Sequence, residues 1–114
     1  MDDCLFCKIA NGEIPTDFVF ADDNVVAFRD IAPQAPTHVL VIPRRHIATL
    51  AETGDDDTHL LGKLQRTAIK NAEAEGLEEG GYRLVVNCGE GAGQSVFHIH
   101  LHLLGGRPLS WPPG

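Results

Sequence analysis

Long apolar runs are missing from this chain. The longest uninterrupted aliphatic stretch is Val39 to Ile42, far short of the ~20 residues that span a bilayer. Positive charge is scarce too: 9 Lys and Arg stand against 16 Asp and Glu, a net of −7, with no basic run longer than Arg44-Arg45. That excludes the basic footprint that duplex nucleic acid and anionic membrane surfaces require, so neither is expected as a partner. Only three cysteines occur. An odd count, with Cys4 and Cys7 three positions apart, does not make a disulfide framework. No N-x-[ST] sequon is present. The Met1-Asp2-Asp3 start lacks the basic and apolar regions of a signal peptide. The expectation is a reduced, cytoplasmic, soluble protein.

What is there suits one ordered domain over residues 1–114. Hydrophobic content is 43% and charged content 22%, ordinary for a globular chain and too apolar for disorder. Cys4 to Ala10 reads as a short helix ended by Asn11-Gly12. Phe18 to Ala21 and Val25 to Arg29 flank Asp22-Asp23-Asn24 and predict a hairpin. His38 to Ile42 is a β-branched and aliphatic strand stopped by Pro43. Asp55 to Thr58 supplies caps and negative charge for a helix start. Leu60, Leu61, Leu64, Ala68, Ile69 and Ala72 follow at helical spacing to Gly76. Tyr82 to Asn87 and Phe97 to Leu104 are further strands, joined by a glycine-rich connection from Cys88 to Ser95. Five short strands with mostly short connections predict an antiparallel sheet and an α+β class. The proline-rich tail from Pro108 is irregular.

The informative segment is Phe97-His98-Ile99-His100-Leu101-His102-Leu103. A strand sends its three imidazoles to one face and Phe97, Ile99, Leu101 and Leu103 to the other. A helix would split the histidines. Alternate residues on a strand lie ~6.5 Å apart, so the outer pair is too far apart to share one metal, with bonds of ~2.1 Å, although two of the three could do so. The row better suits one extended anionic group, with one imidazole attacking and its neighbours bonding oxygens. Imidazole is neutral and nucleophilic near pH 7. The loop Gly89 to Ser95 lets backbone N–H groups approach an anion. It precedes a strand and is followed by no Lys, so it is neither a dinucleotide fingerprint nor a P-loop.

His98 to Leu104 matches the alternating H-φ-H-φ-H-φ-φ signature of the histidine-triad nucleotide-binding and hydrolase superfamily. Asp30 to His38, the Ile42-Pro43 step, Gly93-Gln94-Ser95 and the ending Trp111-Pro112-Pro113-Gly114 resemble its purine nucleoside phosphoramidase branch. The resemblance implies a homodimer whose two five-stranded sheets join as one. It also implies hydrolysis of the P–N bond in purine nucleoside 5′-phosphoramidates, adenylylated lysine included, with release of a nucleoside monophosphate. By the same matching, His100 attacks phosphorus and forms a nucleotidyl-histidine, and His98 orients it through its carbonyl. His38 joins the imidazole network. Ser95 lies near the leaving group, while His102 with the amides of Gly93, Gln94, Ser95 and Val96 holds phosphate oxygens. Asp30 takes the ribose hydroxyls, and Asn87 contacts the ribose–phosphate side. Phe6, Ile9, Phe28 and Ile31 line the base pocket, and Trp111 reaches a partner's site. The chemistry needs no cofactor.

Some triad proteins pair a C-x-x-C with two histidines to bind structural zinc. The matching set here is Cys4, Cys7, His46 and His98, an acceptable tetrahedral donor set; the alternative is two free thiols on a short helix. Cys88 is read as a small apolar residue. Three other functional readings stand beside the first: a dinucleoside polyphosphate hydrolase of the same superfamily, a nucleotide-binding partner protein with incidental hydrolysis, and a metal-dependent hydrolase using two triad histidines.

Overall fold

Odd and even positions part company on the three central strands, and this alternation builds both the core and the site. The computed structural model describes residues 3–114. It contains α1 (Leu5–Ala10), β1 (Phe18–Ala21), β2 (Val25–Arg29), β3 (Thr37–Pro43), α2 (Thr58–Ala74), β4 (Tyr82–Val86) and β5 (Leu101–Gly105). The strands form one antiparallel sheet in the order β1-β2-β3-β5-β4. The expected α+β class and hairpin are present. The Asp22 carboxylate closes that hairpin by accepting the N–H groups of Asn24 and Val25, each at 2.8 Å, a turn that Asx side chains favour.

One face of the sheet carries Val25, Ala27, Val39, Val41, Leu101 and Leu103, and α2 packs on it through Leu64, Ala68 and Ala72. The helix was legible because these residues recur at helical spacing. Each fully buried Val or Leu of this set is worth about 1.5–3 kcal/mol, and each Ala less. The opposite face carries Val26, Phe28, Leu40 and Ile42, and the short α1 covers it only in part, with Phe6, Ile9 and Ala10. The central strand β3 is buried along its whole length, hence its unbroken apolar run.

Four expectations need correction. The last strand is shorter than Phe97 to Leu104: its ladder begins at Leu101, opposite Val41 and Val86. Two residues further along, β3 offers Pro43, which has no N–H to give, and its carbonyl is taken by the His98 ring at 2.7 Å. The chain from Phe97 to His100 therefore runs without a ladder, although Ile99 N–H still reaches the Ile47 carbonyl at 2.8 Å. Phe97 does not join Ile99 in the core but is 45% exposed. The expected Asp caps do not cap α2. Asp55–Asp57 forms a 3₁₀ turn before it, where the Asp57 carboxylate accepts the Gly54 N–H and pairs with Arg45. Cys88 is exposed rather than a packed apolar residue.

Candidate active site

β3 and β5 lie side by side, with His102 opposite Leu40 and His38 opposite Leu104. Even-numbered positions put His38, His100 and His102 on the face that α1 leaves partly open. The ring centroids of His38 and His102 are 5.2 Å apart, and those of His100 and His102 are 5.0 Å apart. Phe6 of α1 stands edge-on to His100 at 5.0 Å. His100 and His102 thus share a neighbourhood with His38, whereas the His98 ring turns to Cys4, Cys7 and the Pro43 carbonyl and only its backbone reaches His100, so two of the three triad rings, not all three, meet here.

Partners that cannot change role fix where the protons sit. The Gln34 backbone N–H can only donate, so His38 Nδ1 accepts it at 3.0 Å. The His38 proton is then on Nε2, which donates to His102 Nδ1 at 2.9 Å and lies 3.5 Å from the Asp30 carboxylate. That leaves the His102 proton on Nε2, a buried atom with no partner among the described residues. At the third ring, the His98 carbonyl can only accept, so His100 Nδ1 donates to it at 2.9 Å. His100 Nε2 therefore keeps its lone pair. Burial, then the neighbouring His100 and His38 imidazoles, push His102 down to about 4, and burial lowers His38 against the opposing pull of Asp30. Both are neutral at pH 7. The result is an imidazole lone pair beside a neutral N–H donor that lacks an acceptor.

A cleft of about 720 Å³ opens over these rings, a size that suits a small-molecule ligand. His100 and His102 line its inner end, Asp30 one side, and Phe6, Ile9, Phe28 and Ile31 an apolar wall. Phe6 and Phe28 meet edge-to-face at 5.7 Å, which stiffens that wall. One Asp30 oxygen turns the chain by accepting the Ala32 N–H at 2.9 Å; the other faces His38. Ser95 and Val96 also line the cleft.

Of the amides expected to cradle phosphate, those of Gly93 and Gln94 are already paired within the glycine-rich loop. The amides of Ala92, Gly93 and Gln94 donate within the loop to carbonyls of Gly89 and Glu90 at 3.0–3.2 Å. Gly93 itself sits at φ +94°, where a Cβ would be strained. The buried Gln94 side chain is a brace: its Oε1 accepts the Gly89 N–H at 2.8 Å, and its Nε2 donates to the carbonyls of Ala48 at 2.7 Å and Val96 at 3.1 Å. Gly93 and Gln94 thus shape the loop, and Ser95 and Val96 are the members that face the cleft. Asn87, just past β4, and Trp111, 81% exposed on the tail, do not line it in this chain.

A second cluster lies behind the first. Sγ of Cys4 and Cys7 and ring nitrogens of His46 and His98 all lie within 4.8 Å of one another. Cys4 Sγ is 3.3 Å from His98 Nδ1, Cys7 Sγ is 3.5 Å from it, and Cys7 Sγ is 3.3 Å from His46 Nδ1. Zinc–donor bonds of ~2.1–2.3 Å give tetrahedral edges of roughly 3.4–3.8 Å, so the spacing fits. His98 Nε2–H is committed to the Pro43 carbonyl, which leaves Nδ1 as a lone-pair donor toward the thiols, the orientation metal-bound histidines adopt. Burial and the Cys4 side chain push the Cys7 thiol up to about 11 without a cation.

The HIT domain family pattern matches residues 11–109 of this sequence. This chain belongs to the HIT domain family. It is 51% identical to the purine nucleoside phosphoramidase of Escherichia coli over 108 residues, 95% of this chain and 91% of that protein. A HIT family hydrolase from Legionella pneumophila superimposes with a TM-score of 0.96 at 62% identity, covering 98% of this chain and all of the other. A histidine triad protein from Clostridium difficile matches with a TM-score of 0.92 and 42% identity over 96% of each chain.

Parts of this HIT domain site were not anticipated from the sequence. Leu40 forms the cleft floor, and Ile14, Thr16 and Phe18 its outer rim. β1 could have betrayed that rim, because Phe18 and Val19 are adjacent apolar residues that are both 37% exposed; a register shift between Phe18 and Phe20 turns the strand there. Gln34 fixes the His38 tautomer through its backbone, for which no side-chain signal exists.

Proposed function

We propose that this HIT protein hydrolyses the P–N bond of purine nucleoside 5′-phosphoramidates, as the name of its E. coli relative indicates for that protein. The observation that carries the reading is the coupled pair at the cleft's inner end. His100 has Nδ1 tied to the His98 carbonyl and Nε2 free, and His102 has a buried N–H in want of an acceptor. In the proposed first step His100 Nε2 forms a bond to phosphorus as the P–N bond breaks, and the departing amine takes up a proton. In the second step water attacks the nucleotidyl-histidine, restores His100 and gives a proton back. One water is consumed, and nucleoside monophosphate and amine leave. His102 Nε2–H stabilises a phosphoryl oxygen. Asp30 accepts ribose hydroxyls, a carboxylate's role, and the wall of Phe6, Ile9, Phe28 and Ile31 takes the base. Ser95 stands on the leaving-group side. Imidazole and water suffice for these steps.

The reading includes a structural zinc on Cys4, Cys7, His46 and His98, supported by donor chemistry and spacing. Bound there, the ion would cross-link α1 to the segment that carries His98. It also includes a homodimer continuing the sheet through the edge strand β4, whose five residues are all only half-buried, with the exposed Trp111 reaching the partner's site. The enzyme is assigned to the cytoplasm, where thiols stay reduced.

The test is mass spectrometry after brief reaction with adenosine 5′-phosphoramidate. A nucleotidyl adduct on the peptide carrying His100 is expected. Turnover of a dinucleoside polyphosphate but not of the phosphoramidate would overturn the reading.

A further inference from the structure

Beside the nucleotide-sized cleft lies a second one, of about 540 Å³, and the two share Leu5, Ser95 and Val96. The second continues outward past Asp3 and Phe97, with Cys4 and His46 on its wall. Nothing in the mechanism above uses it. We propose that it is a leaving-group subsite, which receives the amine expelled from phosphorus and selects alkylamines whose far end is positively charged. The inference rests on the phosphoramidase reading of the first cleft.

Three observations carry it. The first is position. In displacement at phosphorus the entering and departing atoms lie roughly in line, so the amine cannot leave among the histidines. The apolar wall and Asp30 are taken by the nucleoside. Ser95 and Val96 line the first cleft together with His100 and His102, and they also line the second, so the two clefts meet there. The second is apolar lining. Leu5 and Phe97 are each 45% exposed, and they flank the cleft with surface that a short methylene chain would cover. Phe97 is also the residue that breaks the expected inward pattern of the histidine segment, so its side chain is free to serve the cleft. The third is charge. Among the described residues, Asp3 is the one carboxylate that lines the cleft and no Lys or Arg does; His46 is turned toward Cys7. A cationic head is attracted there, and a carboxylate is repelled.

In the step concerned, the His100 Nε2–P bond forms, the P–N bond breaks, and the amine nitrogen gains a proton from solvent as it moves into the open cleft. The amine is present only until that bond breaks, so kcat/KM is the quantity that reads the subsite.

The test uses four adenosine 5′-phosphoramidates: unsubstituted, and N-linked to n-pentylamine, to 1,5-diaminopentane and to 5-aminopentanoate. For the native chain kcat/KM should be highest for the diamine, about 2–5-fold above pentylamine, the scale of one exposed ion pair, and lowest for the aminopentanoate. Asp3→Asn should erase the diamine preference, and Asp3→Lys should turn it toward the carboxylate. Phe97→Ala should lower the pentylamine-to-unsubstituted ratio by about 5–10-fold, the worth of one to two buried methylenes. Both side chains are exposed, so the fold tolerates these changes. If all four substrates are cleaved with ratios that neither substitution moves, the subsite is overturned and the phosphoramidase reading stands. If none is cleaved, the phosphoramidase reading fails first and takes the subsite with it.

Discussion

The His98 carbonyl holds the Nδ1 proton of His100 at 2.9 Å, while the ring of His98 stands 3.3 Å from the Cys4 sulfur and gives its own Nε2–H to Pro43. One residue therefore serves the thiol cluster with its side chain and the His100 imidazole with its backbone.

Replacing His100 by Ala should remove phosphoramidate turnover by about a thousandfold or more, the scale seen when a nucleophile is deleted. Binding of nucleoside monophosphate should persist, because Asp30, His102 and the apolar wall remain. Steady-state kinetics with calorimetry checks both halves. Unchanged turnover would leave a nucleotide-binding protein whose chemistry lies elsewhere.

Protein produced with zinc present should carry about one zinc per chain by elemental analysis, and Cys7→Ser should reduce that well below one. Stripping the ion with a strong chelator should lower Tm by more than about 5 °C. Turnover at 25 °C should survive the same treatment, since the proposed chemistry needs only imidazole and water. Loss of turnover that zinc alone restores, with the fold intact, would point to a metal-dependent hydrolase.

Acid should destabilise the chain ahead of ordinary carboxylate titration. His102 titrates at about 4 in the folded protein, and His38 is also lowered, whereas an unfolded histidine titrates near 6.5. Between those values the unfolded state binds more protons, so stability rises with pH. It is fully present above about 6.5 and is lost as pH falls toward 4. Urea midpoints measured in chelator from pH 7 to 4.5 should decline through this window; a flat profile would contradict the neutral, buried pair.

Gln94→Ala should cost about 1–3 kcal/mol of stability, because it strips partners from the Gly89 amide and the Ala48 and Val96 carbonyls. It should also lower kcat/KM, as the loop that presents Ser95 loosens. Denaturant unfolding and kinetics on the same sample would check this. A variant as stable and as active as the native chain would show that the brace is dispensable.

Much of this arrangement was legible in the sequence where periodicity is strong. The spacing of Leu60, Leu64, Ala68 and Ala72 announces α2, and Asp22-Asp23-Asn24 announces the hairpin. The alternation from His98 to Leu103 places the imidazoles opposite Ile99, Leu101 and Leu103. What was not legible depends on contacts distant in sequence. The start of β5 is set by Pro43, more than fifty residues earlier, and the His38 tautomer by the Gln34 backbone amide. Gln94 has the composition of a phosphate loop residue, but its buried amide is claimed by Gly89, Ala48 and Val96. The thiol cluster rests on three chain segments meeting; the C-x-x-C alone does not announce His46 and His98, which the family resemblance supplied and the structure brings to it.

The division of the central strands into a holding side and a reacting side has an evolutionary corollary. Within the ladder from Leu101 to Leu103, a point change touches one side of the sheet only. Adding or deleting one residue there would swap the sides at a stroke, driving imidazoles under α2 and aliphatics into the cleft. Length in this stretch should thus drift far less readily than identity.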